Sequence, residues 1–134
     1  MVNYFKTLIL GVILLIAGCK TEDKTMHPAE SGLDAGREFL EACNKGDFSR
    51  AAFYMLPDNS NEGYLKNTEA AFRKKDKEER EQLRTASINI QSVDEPTDST
   101  VLMQYSNSVD TRSKKLSIIR RNNQWMVDYK KTFQ

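Results

Sequence analysis

Leu116-Ser117-Ile118-Ile119-Arg120-Arg121-Asn122-Asn123-Gln124-Trp125-Met126-Val127 is the most legible stretch of this chain. Apolar and polar residues alternate with the period of two expected of a half-buried strand, on both sides of an Asn-Asn pair. Asparagine tolerates positive φ, so Asn122-Asn123 predicts a two-residue hairpin turn. The register follows: Arg121 opposite Gln124, then Arg120–Trp125, Ile118–Val127 and Leu116–Tyr129 on one face. Ile119–Met126 and Ser117–Asp128 fall on the other. The first face is apolar and aromatic and is the expected core face, with the Arg120 stem over the Trp125 ring. Asp128 is expected on the exposed side.

Upstream, the same period recurs at Ala86, Ile88, Ile90 and at Val101, Met103, Tyr105. Strands are predicted over 85–93, 100–109, 114–121 and 124–130. Asp94-Glu95-Pro96-Thr97-Asp98 and Val109 to Ser113 are the expected turns. Before residue 85 the spacing is helical. Ser31 and Asp34 form a capping pair, Leu33, Gly36, Phe39 or Leu40 and Cys43 one stripe, and Gly46 a stop. Asp47 caps a second helix carrying Phe48, Ala51, Ala52 and Met55 on one side. A third helix begins at Ser60 or Asn61, with Tyr64, Leu65, Thr68, Ala71 and Phe72 facing inward. From Arg73 to Arg84 ten of twelve residues are charged, in mixed signs, which reads as the solvated end of that helix. The expected class is α+β: three N-terminal helices packed on a curved four-stranded antiparallel sheet.

The amino terminus is of another kind. Lys6 precedes eleven apolar or small residues, Leu8 to Gly18. A membrane-spanning helix needs ~20, so the length is that of a signal-peptide hydrophobic region. Ile16-Ala17-Gly18-Cys19 closes it and resembles the lipobox of bacterial lipoproteins, with Ile in place of the usual Leu. The resemblance implies cleavage after Gly18, acylation of Cys19 with palmitate-type chains, and attachment to a membrane of the cell envelope, the outer membrane above all. Whether the domain faces the periplasm or the cell surface stays open. The competing reading is an uncleaved signal anchor with an incidental Cys19. Residues 19–32 carry few apolar groups and are expected to be a flexible tether. Their Lys20-Thr21-Glu22-Asp23 start is similar to the export signals of Bacteroidetes-type lipoproteins.

Phe39-Leu40-Glu41-Ala42-Cys43-Asn44-Lys45-Gly46-Asp47-Phe48-Ser49-Arg50-Ala51, and Asn123-Gln124-Trp125-Met126-Val127 near the end, resemble the opening and closing motifs of the nuclear transport factor 2-like cone fold. The nearest subgroup is small bacterial lipoproteins with a cone domain of unknown function. The domain is expected over 33–134, after a signal peptide at 1–18. The resemblance implies a cavity between helices and sheet, and Tyr64, Phe72, Met103, Tyr105, Ile118, Trp125 and Tyr129 are its candidate lining; ordinary core packing explains the same residues.

Composition narrows the function. The whole chain has 20 basic and 19 acidic side chains, a balance that argues against nucleic-acid binding. His27, the one histidine, lies in the tether, and with two cysteines it makes no zinc site of ordinary spacing. No metal or other cofactor is expected. The predicted strands hold one acid, Asp128, and no histidine, so no catalytic residue is assigned and the expected class is non-enzymatic. The expected partners are the membrane, through Cys19, and either a small apolar ligand or an envelope protein. The alternative is a structural module that self-associates as a homodimer, with Arg112, Lys114, Lys115, Arg120, Arg121, Lys130 and Lys131 as a basic run. A cone-fold enzyme ranks third.

Overall fold

The computed structural model describes residues 25–134. Cys19 and the Ile16-Ala17-Gly18 motif lie outside the described residues. Four helices come first, α1 (Gly32–Lys45), α2 (Phe48–Phe53), α3 (Asn59–Lys74) and α4 (Lys77–Arg84). Four strands follow, β1 (Ile88–Thr97), β2 (Thr100–Asn107), β3 (Lys114–Arg121) and β4 (Gln124–Val127), and a 3₁₀ turn, Tyr129–Phe133, ends the chain. The strands form an open antiparallel meander in the order β1-β2-β3-β4. The class is α+β, as expected, with one helix more than expected.

Local chemistry sets the helix ends. Ser31 Oγ accepts the Asp34 N–H at 3.1 Å and starts α1. Gly46 stops it at φ 74°, and the Asp47 N–H returns to the Ala42 carbonyl at 2.9 Å. Asp47 Oδ1 then accepts the Arg50 N–H at 3.1 Å and opens α2. The extra helix has the same origin. Lys75 turns extended, Asp76 Oδ1 accepts the Glu79 N–H, and Glu79 Oε2 accepts the Asp76 N–H. This reciprocal capping box restarts the chain as α4, where the sequence reading had one continuous solvated end.

α1 is the helix that covers the sheet. Its buried residues include Gly32, Ala35, Gly36, Phe39, Leu40 and Ala42. A Cβ on Gly32 would lie 2.5 Å from Val101 Cγ2, and one on Gly36 would lie 2.9 Å from Met103 Cε. The two glycines therefore let the helix backbone sit directly on β2. Phe39, Met103, Leu116, Ile118 and Val127 fill the interface and have essentially no solvent exposure. At ~1.5–3 kcal/mol for each large side chain buried, this cluster is the main source of stability.

The hairpin forms as read. Asn122 and Asn123 take φ 50° and 62°, and the pairs Arg121–Gln124, Arg120–Trp125, Ile119–Met126 and Ile118–Val127 are all present. The Arg120 guanidinium carbon lies 5.5 Å from the Trp125 ring centroid. Beyond Val127 the register fails. Asp128 leaves the strand at ψ 78°. Its N–H still reaches the Ser117 carbonyl at 2.8 Å, but Tyr129 does not pair with Leu116 and instead packs edge-on to Phe39. The outer edge of β4 is covered by Tyr54–Leu56. The Val127 N–H donates to the Tyr54 carbonyl and the Leu56 N–H to the Val127 carbonyl, at 2.8 and 2.9 Å. The strand expected to run to residue 130 therefore ends at Val127, and Tyr129–Phe133 forms the 3₁₀ turn instead.

The first hairpin also differs from expectation. β1 continues through Asp94, Glu95 and Pro96, and the turn is only Asp98-Ser99. Register shifts at Ile90/Ser92 and Asp94/Thr97 absorb the irregularity. Proline is tolerated there because β1 is an edge strand, with no strand beside its outer edge among the described residues to need the missing N–H.

Candidate functional site

A cleft of about 1020 Å³ opens between α1, α2 and the segment leading into α1. α1 contributes Asp34 and Glu38, one turn apart on one face, and α2 contributes its cap Asp47 and, inside the helix, Arg50. An Arg50 Nη2 donates to Glu38 Oε2 across the cleft. Arg50 Nε is enclosed and has no hydrogen-bond partner among the described residues. Burial alone would lower the Arg50 pKa, but the hydrogen bond and charge of Glu38 outweigh it, so the guanidinium is held more firmly protonated than usual.

Residues 25–31 form a strap along this cleft. Tyr54 Oη donates to the His27 carbonyl at 2.8 Å, and the Glu30 N–H donates to Asp34 Oδ2 at 3.0 Å. Ala29 packs against the core. Burial, followed by the Glu38 charge, raises the Tyr54 pKa, so its hydroxyl remains a donor. The cleft thus offers fixed carboxylates, one paired guanidinium and a phenol: a polar recognition surface.

The seven candidate lining residues do not share one cavity wall. Met103, Tyr105, Ile118 and Tyr129 come together in the packed core. Trp125 lies at its margin, where the strap and Gly32 meet the sheet. Phe72 packs edge-on to Phe48 with centroids 5.7 Å apart, and covers Gly46. Tyr64 is exposed and stacks on Phe133 at 4.5 Å. Trp125 alone of the seven borders a described cleft, a small one of about 50 Å³ shared with Pro28, Ala29, Phe53 and Met126. Burial raises the pKa of Tyr105 and Tyr129; Thr68, hydrogen-bonded to the Tyr129 hydroxyl at 2.8 Å, partly opposes the second shift. Both phenols stay neutral.

Asp128 is the clearest correction. It was expected in solvent and is buried. Because the chain turns at this residue, its carboxylate swings under α3, where Asn61 Nδ2 donates to Oδ1 at 3.1 Å and Lys130 Nζ lies at 2.6 Å from the same oxygen. Asn61, which the sequence reading passed over, has no exposed surface. Its Nδ2 also reaches the Leu56 carbonyl and Asp58 Oδ2, and its Oδ1 accepts the Lys130 N–H at 2.7 Å. An Asn three residues after a capping Asp was the one available signal. The basic run is partly neutralised in the fold: Asp110 takes Arg112 and Lys114, and Lys130 bridges Asp58 and Asp128.

No group of three or more His, Cys, Asp and Glu among the described residues is arranged to hold a metal ion. Among the described residues no helix is long and apolar enough to cross a membrane. No family model matches the chain, and no curated protein matches it.

Proposed function

We propose that this chain is a cell-envelope lipoprotein, cut after Gly18 and acylated on Cys19, whose domain is a non-catalytic binding module of the nuclear transport factor 2-like cone type. The observation that carries the reading is Leu8–Cys19: an apolar run too short to span a bilayer, ending in small residues and one thiol. Two acyl chains suffice for stable anchoring at ~0.8 kcal/mol per buried CH₂, so the domain needs no amphipathic helix of its own. The succession of helices followed by an antiparallel meander, and the Gly46-Asp47 helix break, support the cone reading. The close approach of α1 to Met103 and Ile118 favours recognition at the surface, in the Glu38–Arg50 cleft, over an apolar ligand held between helix and sheet. The expected occupant of that cleft is a polar group of an envelope protein or ligand.

Two measurements test this. Labelled-palmitate incorporation and globomycin-sensitive processing are expected, and both vanish in Cys19→Ala; unchanged membrane extraction in that variant refutes the anchor. Crosslinked capture from native membranes, read by mass, is expected to yield a partner that is lost in Glu38→Ala/Arg50→Ala, and equal capture by that variant refutes the cleft. The self-associating alternative draws on Val93, Leu102 and Val109, exposed apolar residues on and beside β1 and β2. It requires a concentration-dependent sedimentation coefficient.

A further inference from the structure

Met26 and Phe53 are two of the large apolar side chains left exposed, at 42% and 39%. Met26 belongs to the strap and Phe53 flanks it, beside Pro28 and Ala29. Met26 borders the large cleft and Phe53 the small one, and Pro28 and Tyr54 wall both. Behind Phe53 lie Trp125 and Met126, each partly buried, with Arg120 over the Trp125 ring. This is a face with shallow apolar projections, an indole and a guanidinium, the mixture suited to a headgroup boundary.

We infer that this face, Met26, Pro28, Phe53 and Trp125, rests on the surface of the bilayer that holds the acylated Cys19. The inference deepens the lipoprotein reading and rests on it. The length of chain outside the described residues argues for it. The strap is pinned at His27 by Tyr54 and at Glu30 by Asp34. From Cys19 to His27 there are eight steps in the sequence, which span at most ~28 Å when fully extended. A domain of this size is ~33 Å across. While the strap is docked, the far side cannot reach the bilayer, because the chain would have to climb past the whole domain. The near side meets the membrane at less than full extension.

The lipid surface is zwitterionic in chemistry. Glu30, Asp34, Glu38 and Asp47 line the cleft beside the strap, and only Glu38 among them faces a guanidinium. An anionic surface would be repelled by the remaining carboxylates, whereas choline or ethanolamine headgroups present a cation to them.

The test uses the full lipidated protein in phosphatidylcholine–phosphatidylethanolamine vesicles. An environment-sensitive dye is placed at Phe53→Cys, at Met26→Cys as a second near-face site, and at Val109→Cys beyond the far end of β2. Cys43 does not compete, since burial holds its thiol neutral. Lipids brominated near the top of the acyl chain are expected to quench the two near-face dyes about threefold and to leave Val109→Cys unchanged. Flotation with the vesicles is measured on the same samples. Flotation with equal, weak quenching at all three sites overturns the inference and leaves the anchor standing. Failure to float overturns both.

Discussion

Truncating Asn61 to alanine is the sharpest test of how α3 is joined to the end of the chain. The two Nδ2 hydrogens are shared among three acceptors, Leu56 O, Asp58 Oδ2 and Asp128 Oδ1, and Oδ1 accepts the Lys130 N–H. Their loss is unequal. The Leu56 carbonyl keeps the Asp58 N–H, and both carboxylates keep Lys130 Nζ. Each of those three losses costs ~0.5 kcal/mol. The Lys130 N–H is left without its acceptor, at ~1–2 kcal/mol. The sum is about 3 kcal/mol, or roughly 12 °C in Tm for a domain of this length. Urea unfolding at neutral pH, followed by Trp125 fluorescence, measures it. Asn61→Asp supplies the control. It keeps the acceptor for Lys130 but sets a carboxylate oxygen against Asp58, Asp128 and the Leu56 carbonyl. Those neighbours raise the folded pKa of the new group above its unfolded value near 4. Its neutral form is therefore favoured by folding, and its damage grows as pH rises and shrinks under acid. A loss below ~1 kcal/mol in Asn61→Ala, or an Asn61→Asp defect independent of pH, refutes the reasoning.

Three further outcomes are expected. Lys130 and the Asn61 N–H depress the pKa of Asp58, and Arg112, Lys114 and the Arg112 N–H depress that of Asp110. Their contribution is full above the unfolded carboxylate pKa and is lost as pH falls through the folded values; both are partly exposed, so Asp110→Asn is expected to flatten the acid limb slightly, and less in high salt. Gly46→Ala places a β-carbon at φ 74°, 2.5 Å from Phe72 Cε1, and is expected to cost ~2–3 kcal/mol from αL strain and displacement of the ring; a urea midpoint equal to wild type contradicts this. Burial pushes the Cys43 thiol up to about 12, so native-state alkylation at pH 8 is expected to be far slower than in denaturant, and rapid native labelling contradicts the packing.

Sequence legibility was uneven for physical reasons. The Asn122-Asn123 turn and the Ser31, Gly46 and Asp47 caps were readable because each rests on residues within a few positions of one another. Asp76 and Glu79 are equally local, but in a run where ten of twelve residues are charged, composition alone does not single out one Asp–Glu pair as a cap. Tyr64 and Ala71 were placed inside by helical period and lie outside, because the period gives a direction and only packing decides how much of the stripe is covered. Met103, Tyr105, Ile118 and Tyr129, named as candidate lining on the family resemblance, meet in the filled core, because an apolar residue type does not distinguish the wall of a cavity from a packed interior.

The chain by itself determined the α+β order and the hairpin register from Ile118 to Val127, since both are written in the spacing of neighbouring residues. Tertiary structure alone decided that Asp128 is buried, that Asn61 joins two segments 67 residues apart from one another in sequence, and that Glu38 and Arg50 face each other across a cleft. These depend on where the chain turns after Val127 and on how closely two glycines let α1 approach the sheet, distances that arise only when remote segments exclude water from between them.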